Sequence, residues 1–239
     1  MSDADFSLWV YLSRTPLLWL TVTLLSYVVA DRISAALRRH PLANPMLIAV
    51  VLTAGVLFAT GTPYRTYFEG AQFVHFLIGP ATVALAVPLY RNRRTVLRAI
   101  LPMGAALLAG SLAAMGSALL IAKALGVPGP VLASLAPKSV TAGIAMGIAE
   151  GLGGDPALAA VLVILTGAIG AVTVTPLMEA LRMTDMRARG FAAGLAAHGL
   201  GTARAFHVNP VAGTFAGIAM ALNALLSAIL APLVLRALL

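Results

Sequence analysis

The chain has no cysteine, few aromatic residues and few charges of either sign. The first absence excludes disulfides, thiolate catalysis and cysteine-based metal sites. Charged residues make up only 10% of the 239 positions while hydrophobic ones make up 60%, which leaves too little polar surface to cover a water-soluble fold. Aromatics stand at 6%, and the apolar stretches run on without the polar alternation and aromatic girdles that a transmembrane barrel needs. An all-α integral membrane protein remains, because lipid offers no partner for an exposed backbone N–H or C=O. Acidic residues are the scarcest charges: eight against sixteen basic ones, a net charge of +8. The basic residues lie in short clusters between apolar runs, a pattern that points to loop anchoring by the positive-inside rule and not to nucleic acid. The opening "MSDADFSLWVYLSRTP" has no basic region ahead of its apolar residues and does not read as a signal peptide.

What is present is a succession of apolar elements at about 7–31, 44–61, 70–90, 95–124, 130–152, 156–181, 187–206 and 210–238. About 20 residues suffice to cross the hydrocarbon core, so the reading is about seven to eight transmembrane or re-entrant helices. The linkers between them are short, so residues 1–239 form a single polytopic membrane domain. With the N-terminus outside, Arg32, Arg38 and Arg39 and then Arg91, Arg93, Arg94 and Arg98 fall in the cytoplasm. Arg182, Arg187 and Arg189 join them only if one intervening element is re-entrant. The element at 130–152 is the candidate, since Pro137, Gly143, Gly147, Gly151, Gly153 and Gly154 are the residues expected where a helix is interrupted inside protein.

An internal echo accompanies this. "GPATVALAVP" from Gly79 and "APKSVTAGIA" from Ala136 share Pro-x-Thr/Ser-Val followed by small residues, and "ANP" at 43–45 resembles "VNP" at 208–210. Discontinuous helices at 79–88 and 136–147, in an internal repeat whose copies run either in the same or in inverted directions, would frame a midplane binding site. Lys138 stands in the second of these segments. A lysine within the bilayer costs several kcal/mol unless solvated, paired or able to snorkel. Placed after Pro137, in the expected first turn of a half-helix, it would join the helix N-terminus and the hydroxyls of Ser139 and Thr141 in an anion site for a small carboxylate. Pro80 and Thr82 offer a neutral counterpart.

A second polar island is "AAHGLGTARAFHVNP", residues 196–210. His198 and Thr202 share a helical face, whereas Arg204 lies about 200° around the axis from Thr202. A break near Gly199 and Gly201 would turn Arg204 inward beside Thr202. Asn209 is the last polar candidate of the island. Elsewhere, Asn223 reads as helix-to-helix glue beside Gly217 and Ala221, and Glu179 as a partner for Arg182. Glu150 and Asp155 flank a glycine-rich turn and could coordinate a coupling proton or cation. No nucleophile–base set, phosphate loop or metal-ligand cluster stands out, so the expectation is a non-enzyme that needs no metal or other cofactor.

The stretches "FLIGPATVALAVPLY" (76–90), "LAPKSVTAGIAMGIAE" (135–150), "LTGAIGAV" (165–172) and "AAHGLGTARAF" (196–206) resemble, in this order, the LrgB/CidB family over about residues 40–239. Ala142 and Gly143 depart from the Thr-Pro-like pair expected there in many members. The resemblance implies a multi-pass protein of the bacterial inner membrane, often paired with a smaller LrgA/CidA-type membrane protein, and similar to the C-terminal part of the plant plastidal glycolate/glycerate translocator. It implies two functions. One is alternating-access transport of small monocarboxylates of the glycolate, glycerate, pyruvate or lactate class. The other is a holin/antiholin-like regulation of murein hydrolase activity and lysis. The residues favour the first, with Pro137, Lys138, Ser139, Thr141, Pro80 and Thr82 holding substrate, His198, Thr202, Arg204 and Asn209 opposite, and a homodimer as the expected assembly.

Overall fold

A computed structural model describes residues 16–40, 43–77, 80, 90 and 93–238, and the secondary structure among them is helical throughout. The chain divides into two compact units, Met1–Ala86 and Val87–Leu239. Both of the expected break at 79–88 and Thr82 fall largely or wholly outside the described residues; Pro80 is described, is exposed and belongs to the first unit.

The first unit holds α1 (Pro16–Ala36), α2 (Pro45–Thr60) and α3 (Tyr64–Phe76). Its centre is Trp19, fully buried, which meets the Tyr67 ring edge-on at 6.2 Å while the Thr23 hydroxyl bonds that of Tyr67 at 3.2 Å. Helix α2 starts at Pro45 because Asn44 caps it, its side-chain oxygen accepting from the Met46 amide at 2.9 Å.

The second unit contains α4 (Arg93–Arg98), α5 (Ile100–Ala124), α6 (Gly129–Leu135), α7 (Ala142–Gly151), α8 (Pro156–Ala180), α9 (Met186–Val208) and α10 (Pro210–Leu238). Helices α5, α8 and α10, with 25, 25 and 29 residues, are long and apolar enough to cross a membrane, as is α1 in the first unit. At 1.5 Å per residue they extend about 37 to 43 Å. The segments between them do not cross. Helix α6 ends at Leu135: Ala136 keeps helical dihedrals (φ −50°, ψ −48°) and still donates to the Leu132 carbonyl, but Pro137 has no N–H with which to continue the ladder. The chain then unwinds, Thr141 is extended (φ −69°, ψ 148°), and α7 begins at Ala142. By its end the chain is back where α6 lay: the Asp155 amide donates to the buried Ser134 hydroxyl at 2.7 Å, and Ile148 and Leu152 pack with Leu132, Leu135 and Ala136. Residues 129–154 are therefore a helical hairpin, and the re-entrant element expected at 130–152 takes that form.

Helix α9, the apolar element read at 187–206 with a break near Gly199 and Gly201, turns back on itself. At Ala197 (φ −124°, ψ 18°) and His198 (φ 40°, ψ −129°) the backbone leaves helical geometry, and the arm 199–208 folds back along the arm 186–196. Gly201 approaches the Ala193 carbonyl so closely that a Cβ would overlap it, and Ala193 and Ala205 share one small cluster with Met186. The arms of both hairpins contain 7 to 11 residues, about 10 to 16 Å, roughly half of a hydrocarbon core of about 30 Å.

The hairpins enter from opposite ends. Arg98 of α4 and Asp185 and Arg187 at the start of α9 line one cavity, so the third and fourth arginine clusters share an end. At the other end the Lys123 ammonium bonds the Leu238 carbonyl and the α6–α7 hairpin packs on Ala231 and Leu235. Residues 129–180 and 186–238 thus run through the same parts, a hairpin and then a spanning helix, in opposite directions. Both spanning helices open on a capped proline: Asp155 accepts from the Ala157 amide at 2.7 Å ahead of Pro156, and Asn209 from the Val211 amide at 2.8 Å ahead of Pro210. Both carry one further proline near the far end, Pro176 and Pro232.

Candidate functional site

The two hairpin tips meet at the level where the spanning helices are midway through their length. Asn223, near the middle of α10 and 2% exposed, donates through Nδ2 to the Ser139 carbonyl at 3.1 Å and to the Leu195 carbonyl at 3.2 Å. Its Oδ1 accepts from Ser111 of α5 at 2.6 Å and from Ser227 at 3.3 Å. Carbonyls only accept, so the amide nitrogen must face the tips. On α8, Val163 meets both tips: its side chain packs against fully buried Val140, and its carbonyl lies 3.0 Å from His198 Nε2. Each tip is a place where a helix has left backbone groups without helical partners.

Lys138 lies in the unwound link and not in the helical turn expected after Pro137. Pro137 is fully buried, Lys138 and Ser139 are half-buried, and the ammonium donates to the Ser139 hydroxyl at 3.2 Å. Among the described residues Lys138 makes no ion pair. Thr141 occupies the N-cap position of α7, yet its side chain makes no capping bond, leaving the first-turn amides of a ten-residue helix uncapped by a side chain. There is room beside them: a Cβ at Gly143 would meet nothing within 4 Å, and the same holds for Gly199 on the facing tip.

The second polar island separates. His198 is buried at its tip, held in a left-handed backbone that any residue with a Cβ adopts at a cost. Thr202 is buried too, but its hydroxyl turns back to the His198 carbonyl at 2.8 Å. The break lies upstream of Gly199, so the arm carrying Thr202 and Arg204 is regular and does not turn Arg204 beside Thr202. Arg204 sits at the base of its hairpin, donating to the Thr175 hydroxyl at 3.3 Å and lining a small recess with Arg189 and Met186. Glu179 pairs there with Arg189 at 3.8 Å and not with Arg182. Asn209 is the cap of α10 and Asp155 that of α8. The structure therefore groups residues 137–141 with His198 and leaves Arg204 and Asn209 at one end. Sequence reasoning placed Asn223 only as helix glue; the signal was an amide in the middle of a 29-residue apolar helix.

A cavity of about 660 Å³ runs between α5 and the first arm of α9, from Arg98 and Arg187 at its mouth to Leu195 and Ala196 at the tip. Its inner wall is apolar, built of Met103, Phe191 and Phe215. The mouth is ordered by Asp185, whose carboxyl is held down to about 2 by hydrogen bonds from the Arg187 side chain and backbone.

Residues 23–237, all but the ends of the chain, match the LrgB-like family. The chain belongs to that family. It is 35% identical over 216 residues to the uncharacterized protein YwbG of Bacillus subtilis, covering 90% of this chain and 96% of that one. The holin-like protein CidB of Staphylococcus aureus is 31% identical over 216 residues, covering 90% and 94%. A second Bacillus subtilis protein, YxaC, is 34% identical over 194 residues, covering 81% and 84%. No solved structure matches the chain. Family membership and four long apolar helices make this LrgB-like chain a multi-pass membrane protein.

Proposed function

We propose that the chain carries small monocarboxylates, of the glycolate, glycerate, pyruvate or lactate class, across the bacterial inner membrane by alternating access. The observation that carries this reading is a half-buried lysine, without an acidic partner among the described residues, next to the residue through which one hairpin tip shares Asn223 with the other. A carboxylate bound there would face the Lys138 ammonium, the hydroxyls of Ser139 and Thr141 and the first-turn amides of α7, and charge-assisted bonds of this kind are the strong ones. Gly143 and Gly199 are exposed and add no side chain that would obstruct an approach to these groups. The arginine-rich end is cytoplasmic by the positive-inside rule, and Arg98 and Arg187 at the cavity mouth would draw anions toward the tips. Coupling to a proton or cation, a homodimeric assembly and an LrgA/CidA-type partner belong to the same proposal.

The second reading is a holin-like regulator of murein hydrolase activity and lysis, favoured by the description of CidB. Liposomes containing only the purified protein separate the two. Labelled glycolate, glycerate, pyruvate and lactate should enter with saturation and mutual competition, more so under a pH gradient if a proton is coupled. Non-saturating leakage of unrelated solutes would support the holin-like reading instead.

A further inference from the structure

The Asn223 amide serves both broken helices at once. In an unbroken α9 the Leu195 carbonyl would accept from the Gly199 amide, and the departure at Ala197 and His198 removes that bond. The Ser139 carbonyl lies in the unwound link between α6 and α7 and has likewise lost helical company. Asn223 Nδ2 has two hydrogens and gives one to each. Its oxygen is occupied by Ser111 and Ser227, and turning the amide over would set that oxygen against two carbonyls. One side chain, held in one orientation, is thus the polar link between hairpins that enter from opposite ends.

We propose that Asn223 is a positioning residue that clasps the two hairpin tips, and that either tip withdraws by breaking its own bond to Asn223 while the other bond holds. The role of this clasp in alternating access rests on the carrier reading above, but the clasp itself is a statement about the tips and can be tested without flux. A path from one end opens when the α9 tip leaves, and a path from the other end when the α6–α7 tip leaves. The bond that remains keeps the second tip closed.

The absence of cysteine gives a background-free assay. Single cysteines replace Val140 at one tip and Leu195 at the other, both buried, and maleimide labelling is timed in liposomes. Asn223→Leu should speed labelling at both positions by about tenfold, the effect of losing a buried hydrogen bond of ordinary strength. Ser111→Ala, which leaves both Nδ2 bonds in place, should change it less than about threefold. Asn223→Ser, with one donor, should fall between and serves if the leucine variant does not reach the membrane. Labelling unchanged in Asn223→Leu or equal to wild type in Asn223→Ser overturns the proposal. So does an equal effect of Ser111→Ala, which would make Asn223 a tie between α5 and α10 only. Faster labelling in a protein that shows no saturable flux either alone or together with an LrgA-type protein would sustain the clasp and reject the carrier.

Discussion

Lys138 occupies a link whose neighbours are fixed on both sides, Pro137 and Val140 being fully buried, while the lysine itself is only half-buried. Its ammonium is the one lysine or arginine charge at the tips among the described residues, so Lys138→Ala should lower glycolate flux by roughly 10- to 100-fold, the value of a charge-assisted bond, with protein abundance unchanged. Arg204→Ala should act differently, because Arg204 reaches Thr175 at the hairpin base. Its loss should shift the maximal rate and leave half-saturation within about twofold, since its bond to Thr175 lies at the hairpin base; a large rise in half-saturation would place it at the substrate after all. Gly194 is a packing residue: a Cβ would overlap the Ala216 carbonyl, so Gly194→Val should cost about 1–3 kcal/mol or more, visible as a lowered melting temperature in detergent. Asp185 bears on pH. Its folded-state pKa of about 2 lies below the unfolded value of about 3.9, so its contribution is complete above about pH 4 and is lost as pH falls toward 2. The group is exposed, which keeps that contribution small, and stability should be flat in this respect between pH 5 and 8.

The hairpins are the elements on which the topology turns. A residue in the 152–154 turn should lie at the end bearing Lys123, and residues 183 and 209 should share the arginine-rich end, because α9 returns to the side it left. Cysteines introduced at Gly153, Met183 and Asn209 test this with an impermeant thiol reagent on sealed, oriented vesicles. The expected pattern is labelling of Gly153→Cys from one face and of the other two from the opposite face. Labelling of the 183 and 209 cysteines from different faces would mean that α9 crosses. The sequence carried half of this: Pro137 and its following glycines marked the first break, and the fourth arginine cluster required a re-entrant element before it. The second break was less legible because it centres on Ala197 and His198, neither a residue that interrupts helices by itself; packing of Ala193 on Gly201 selects it.

For the molecule as a whole, the carrier reading requires that flux saturate and that related monocarboxylates compete, and adding an LrgA-type protein to silent liposomes tests whether a partner is obligatory. The amino-acid sequence by itself determined the solvent and the material. Sixty per cent hydrophobic residues and ten per cent charged ones leave helices in a bilayer, and runs such as those that became α5, α8 and α10 are long enough to cross it, a consequence of composition and length alone. The Asx-Pro pairs at 155–156 and 209–210 likewise set helix starts locally, through a side-chain oxygen and a missing N–H. Tertiary structure decided which segments turn back and what meets at the centre. Ser111, Ser139, Val163, Leu195 and Asn223 are far apart in the chain, and three of the contacts joining them are made by backbone carbonyls. A carbonyl is present at every residue, so no residue type announces the ones that matter; only the breaks that free them and the packing that brings Asn223 and His198 within reach can select them.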